Sequence, residues 1–66
     1  KMNWRQLNAT LNDMSEAEVK QMLADEVAGP QRVTFIERLH QRYCALRATR
    51  ERAELMSLVA SASQAA

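Results

Sequence analysis

The sequence predicts an all-α fold, a helical hairpin in which a short N-terminal helix and a second helix lie against a long C-terminal one. Three observations predict it. Gly29 and Pro30 are the only glycine and proline in 66 residues, while Ala, Leu, Glu, Gln and Arg are abundant, a composition that favours helix over sheet. Apolar residues recur at spacings of three and four along most of the chain, the helical period. The Gly29-Pro30 pair also falls where one such run stops and another starts. A connection that short makes the two runs antiparallel neighbours.

The first helix starts at Trp4, with Asn3 placed to cap it by accepting a first-turn N–H. Trp4, Leu7, Leu11 and Met14 share one face. Asn12 and Asp13 then weaken the helix, because their side chains compete for backbone hydrogen bonds. The next start is the strongest local feature. Ser15-Glu16-Ala17-Glu18 reads as a capping box: the Ser15 hydroxyl accepts from the Glu18 amide and the Glu18 side chain reaches back to Ser15. Met14 and Val19 stand where a hydrophobic staple requires apolar residues. Glu16 and Glu18 occupy the first turn, where the helix dipole favours negative charge. Val19, Met22, Leu23 and Val27 follow, and Gly29 with Pro30 closes the helix.

The long helix has two candidate starts, Pro30 as its first residue or Thr34 as its cap with Glu37 as box partner. Its seam runs Ile36, Leu39, Tyr43, Leu46, with Phe35 beside it, the three-four alternation of lengthwise packing. The seam continues to Arg50 and Ala53, where it weakens. Leu55, Met56, Leu58 and Val59 point in other directions, so this part either meets a different neighbour or frays. Residues 61–66 are small and polar and read as a disordered tail. The second helix is about half as long as the third. The Trp4 helix is therefore expected on the far half, with Trp4 near Leu55 and Leu58. Charge agrees with the pairing of the arms: residues 12–28 carry five acids and one Lys, net −4, and residues 30–54 carry six Arg and three Glu, net +3.

Length bounds the rest. The chain is a single domain, 1–66, and one this short buries only about 60% of its unfolded surface. Chains of this size compensate with disulfides, a metal or association. Cys44 is the only cysteine and His40 the only histidine, which removes an internal disulfide and argues against zinc. Tight packing and self-association into a bundle remain. No stretch approaches the roughly 20 apolar residues of a membrane span, and no signal-peptide or cofactor-binding motif is visible. A free thiol is compatible with a reducing compartment.

Candidate sites fall into several groups. His40 and Cys44 are four residues apart on one helix face, the spacing of a nucleophilic pair. Such a pair also needs an orienting group, an oxyanion hole and a concave pocket, so a helix flank with a partly buried thiol is the favoured reading. The arginines Arg32, Arg38, Arg42, Arg47, Arg50 and Arg52 make the long helix basic. Nucleic-acid binding needs them gathered on one face, whereas they read as scattered and diluted by Glu37, Glu51 and Glu54. Glu37–Gln41, Arg47–Glu51 and Arg50–Glu54 read as ordinary surface pairs. Arg50, inside the seam, either sets register or lays its stem on apolar surface and reaches an acid on the facing arm; the second is favoured. Tyr43 reads as core, and Trp4 as core or interface anchor. Leu55, Met56, Leu58 and Val59 read as a contact with another chain.

Met2-Asn3-Trp4-Arg5-Gln6-Leu7, followed by Met14-Ser15-Glu16-Ala17-Glu18, resembles the opening of many short reading frames in bacteriophage and prophage genomes. Leu39-His40-Gln41-Arg42-Tyr43 with Leu46-Arg47 is similar to such small helical phage proteins too. The resemblance implies a phage-encoded accessory protein in a bacterial cytoplasm, or a small part of a particle, and transfers no functional residue.

The function expected from these readings is non-enzymatic protein–protein association, with itself or with another protein, through Trp4, Leu46, Arg50, Leu55, Met56, Leu58 and Val59. The alternative is a nucleic-acid-binding or DNA-packaging accessory whose Arg38, Arg42 and Arg52 are gathered by oligomerisation.

Overall fold

The computed structural model describes residues 2–65, the side chains of 63–65 excepted. It is all-α: α1 spans Trp4–Leu11, α2 Glu16–Ala28 and α3 Val33–Ala65. Both expected N-caps form. The Asn3 side chain accepts from the Gln6 N–H at 2.9 Å, and the Gln6 side chain accepts from Asn3 N–H at 3.0 Å, a capping box in which an amide replaces the carboxylate. Ser15 Oγ accepts from Glu18 N–H at 3.2 Å and Glu18 Oε1 from Ser15 N–H at 3.0 Å.

The turn into α3 follows neither of the expected starts. Gly29 ends α2 as its C-cap, yet its φ is −115° and the left-handed residue is Gln31, with φ 54°. Helix α3 begins at Val33, and the Arg32 carbonyl accepts the first helical N–H, from Ile36, at 2.9 Å. What sets this start is a long-range capping group. Glu26 Oε2 accepts the Arg32 backbone N–H at 2.9 Å, so the α2 side chain satisfies a donor that a Thr34 cap would have left to solvent.

Helices α2 and α3 form the expected antiparallel pair, but α1 is not on the far half of α3. Met2 O accepts from Arg32 Nη1, Trp4 stands edge-on to Phe35 with ring centroids 5.9 Å apart, and Asn8 Oδ1 accepts from Arg38 Nε at 2.8 Å. The three contacts advance together along both helices, so α1 runs parallel to α3 beside its N-terminal half. The expectation of Trp4 near Leu55 and Leu58 is thereby corrected: Phe35 and Leu55 are about 30 Å apart along the helix. Burial gives the reason. Leu7 and Leu11 are fully buried with Val19, Phe35 and Leu39, and Met2, Met14, Met22, Leu23, Tyr43 and Leu46 pack around them. On the far half, the face in line with this core offers Arg50, Ala53 and Ser57, too little apolar surface for two leucines. The core also takes Phe35 where the seam reading favoured Ile36.

Helix α3 therefore outruns its partners. Among the described residues, the last ion pair between α3 and α2 is that of Arg50, whose guanidinium meets Glu16 at 2.8 Å. Beyond it the helix continues through Ala65, so the expected loose tail is helical backbone as far as that residue, and residue 66 lies outside the described residues. The molecule is 54 Å long, and its radius of gyration is 15.8 Å, against about 11 Å for a compact chain of this length. Among the described residues, no helix is long and apolar enough to cross a membrane.

Candidate functional site

With α3 a single unbroken helix, the exposed apolar residues of its second half acquire a definite direction. At ~100° per residue, Cys44, Ala48, Leu55, Val59 and Ala62 fall within ~60° of one another. Leu58 lies ~60° to one side of Leu55 and Met56 ~100° to the other. Phe35, Leu39, Leu46 and Arg50 lie roughly 140–180° from Leu55, on the face turned to α1 and α2. The chain thus carries two apolar stripes on one helix. The inner one closes the hairpin, and the outer one faces away from the protein's own core.

The outer stripe is bare. Leu58 is 67% exposed, Leu55 and Val59 are 59% and Met56 is 53%. Leu55, Leu58 and Val59 share one face, turned away from the seam, and Met56 lies to the side, so the four do not all face one neighbour. Mixed charge runs along this half of the helix. Arg47 pairs with Glu51 at 3.3 Å and Arg50 with Glu54 at 2.7 Å, the i,i+4 spacing that supports a helix lacking tertiary neighbours. Glu37 and Gln41 were the third expected pair; Gln41 Oε1 instead accepts from Arg38 at 3.1 Å.

The remaining residues expected at a partner interface are placed elsewhere. Leu46 is half-buried against the core. Arg50 faces α2, where its Nε and Nη2 donate to the two oxygens of Glu16 at 2.8 and 3.2 Å. This is the favoured reading of Arg50, an arginine head bound to an acid on the facing arm. The hydrogen bond from Arg50 is the main force holding the Glu16 carboxyl below its ordinary range, partial burial opposes it, and the positive charges of Arg50, Arg47 and Lys20 add to it. Trp4, 48% exposed, belongs to the opposite end of α3, where it lines a shallow depression with Thr34, Glu37, Arg38 and Gln41.

The six arginines are spread around the helix, but three of them share a sector. Arg38, Arg42 and Arg52 lie within ~80° of one another on α3. Arg38 is engaged by Asn8 and Gln41, however, and Arg42 and Arg52 are separated by ~15 Å along the axis. Arg42 is half-buried, and its Nε is buried with no hydrogen-bond partner. In one chain, this sector offers a phosphate backbone few free charges at a time. His40 and Cys44 do meet, with Sγ 3.5 Å from Nε2, on the exposed outer side of α3. Among the described residues, no three metal-ligating side chains converge.

Sequence reasoning missed one polar cluster entirely. Glu26, 6% exposed, accepts from Arg32 Nε at 3.0 Å and Nη2 at 2.8 Å. The same guanidinium lies 3.7 Å from the centre of the Phe35 ring, a cation–π stack. Its raised pKa comes chiefly from the Glu26 hydrogen bonds. An acid and a base six residues apart across a Gly-Pro turn was the available signal.

The chain matches no family model, no curated protein and no solved structure. The resemblance to small phage proteins accordingly rests on the residues quoted for it.

Proposed function

We propose that this protein is a non-enzymatic association module that self-associates through the outer stripe of α3, centred on Leu55, Leu58 and Val59. One observation carries the reading: these side chains are exposed on the helix face opposite the protein's own core. Large apolar side chains gathered on one exposed face are a feature of surfaces that meet another chain. The core supports the same reading, since the five buried apolar side chains among the described residues make a small one and association is a common remedy. An accessory role in a bacterial cytoplasm, as the phage resemblance implies, is compatible with such a module.

Light scattering over a dilution series, read with helical circular dichroism, tests the proposal. A dimer or larger species that Leu58→Lys converts to monomer, with helicity kept at high concentration, is the expected outcome. A folded monomer at every concentration would overturn self-association.

The second reading is a nucleic-acid-binding accessory. The observation in its favour is the common sector of Arg38, Arg42 and Arg52. Binding to duplex DNA at low salt, weakening steeply as salt is raised, is its signature, and no binding at low salt removes it.

A further inference from the structure

We infer that the occupant of the outer stripe is a second copy of this chain, laid antiparallel, with Leu55 of each copy facing Leu58 of the other. This rests on the association proposed above and adds its orientation and register.

Area comes first. The protein exposes 5024 Å², whereas a compact protein of 7.5 kDa exposes about 4,200 Å². The excess, roughly 800 Å², equals what each partner contributes to a stable interface of standard size. One partner helix along the bare half of α3 is enough to cover it.

Charge identifies that partner as a like copy. The stripe contains Glu51 and is flanked by Arg47, Arg52 and Glu54, two of each sign. A strongly acidic or basic partner gains nothing from such a surface, whereas a copy presents the same balanced set.

The same four residues decide the direction. In a parallel pair, heptad packing brings each residue of the seam onto its own copy and one shoulder onto the other five residues on. Glu51 would stack on Glu51 inside the seam, and Arg47 would meet Arg52, two like-charge contacts. In the antiparallel pair with Leu55 on Leu58, Glu51 lies against Ala62 and both repulsions vanish. The two helix dipoles also oppose one another. In this register residues 51–62 of the two copies lie along one another, beyond the Arg50–Glu16 contact that closes each hairpin.

Cys44, the only cysteine, is a reporter already in place. Spin-labelled there, the dimer should give a single Cys44–Cys44 distance of about 40 Å, since the two positions are 25 residues out of register at ~1.5 Å each and the helices are ~10 Å apart. A distance under ~20 Å means a parallel pair and overturns the orientation. One near ~30 Å means a slip of one heptad and overturns the register. Both leave the association standing. A monomeric mass at spin-label concentrations takes down the association, and this arrangement with it. Leu58→Lys, labelled identically, should lose the distance and keep its helicity.

Discussion

The carboxylate of Glu26 accepts three N–H donors from one residue, Arg32, which in turn donates to the carbonyl of Met2. A single side chain thereby links all three helices where the hairpin turns: it projects from α2, accepts the N–H that precedes α3 and, through Arg32, holds the segment leading into α1. Phe35 under the guanidinium and Trp4 against Phe35 complete the cluster.

Glu26→Ala should therefore loosen more than a turn. Its melting temperature should fall further than that of Glu16→Ala, because the Glu26 carboxylate is buried and its loss strands the Arg32 donors in partly buried surroundings. Trp4 fluorescence should shift toward that of a solvated indole below the main transition, as α1 detaches first. Equal melting temperatures for the two variants would mean that the turn holds without this cluster.

Leu39→Ala should destabilise the fold by about 2–5 kcal/mol, the range for truncating a fully buried leucine. Leu39 is 0% exposed and joins residues of all three helices in one core. Leu58→Ala, on the outer stripe, should stay within about 0.5 kcal/mol when measured on the dilute monomer. Denaturant titration of both decides between the inner and outer faces, and a reversed order would invert the assignment.

Acid should unlock the register of the arms. The Glu16 carboxyl is held below its ordinary value of 4.5 by the hydrogen bond from Arg50. A group whose pKa is lowered on folding contributes stability above its unfolded pKa and loses it as pH falls through the folded value. Melting temperature should therefore drop as pH falls below about 4.5, and Glu16→Gln should flatten part of that drop. The Glu18 carboxyl, lowered chiefly by the Ser15 backbone N–H, titrates in the same direction and accounts for a further part. A pH profile unchanged by Glu16→Gln would show that the Arg50 contact adds nothing to stability.

Gln31 occupies the left-handed region, with φ 54°, a conformation uncommon outside glycine. Its side-chain amide donates to the Val27 carbonyl at 3.0 Å, which offsets part of the strain. Gln31→Gly should leave stability within about 1 kcal/mol of the parent, relief of strain set against the lost bond and added chain entropy. Gln31→Ile should lower the melting temperature clearly, because a β-branched residue is a genuine outlier there. Equal melting temperatures for the two would argue that the turn takes up another conformation.

Hydrogen exchange should divide α3 in two. Amides near Leu39 sit under the core and should exchange only with global unfolding, while those of residues 51–62 lie on an exposed stretch of helix and should exchange by local opening. If the outer stripe is an interface, protection of the second half should rise with protein concentration while the first half stays constant. Protection of the second half that is independent of concentration would oppose a role for association there.

Local chemistry was legible in the sequence wherever the determinants lay within a few residues of one another. Asn3 and Ser15 cap because each needs only its own first turn. Val19 and Leu39 are core because three-four spacing selects one helix face, and Gly29-Pro30 stops α2 because no partner is needed to interrupt a helix. The sector shared by Leu55, Leu58 and Val59 was also implicit in the spacing, once α3 was known to continue unbroken. Tertiary structure alone decided where α1 lies, which residue starts α3, which acid of the facing arm Arg50 meets and what Arg32 holds. The side of the hairpin that α1 joins depends on whether Leu7 and Leu11 bury more apolar surface beside Phe35 or beside Ala53, and that comparison exists only once α2 and α3 have paired. Val33 begins α3 because the carboxylate of Glu26, brought from another helix, satisfies the N–H just before it. Periodicity reports how a helix face is made, and the packed core determines which of two faces is left for another chain.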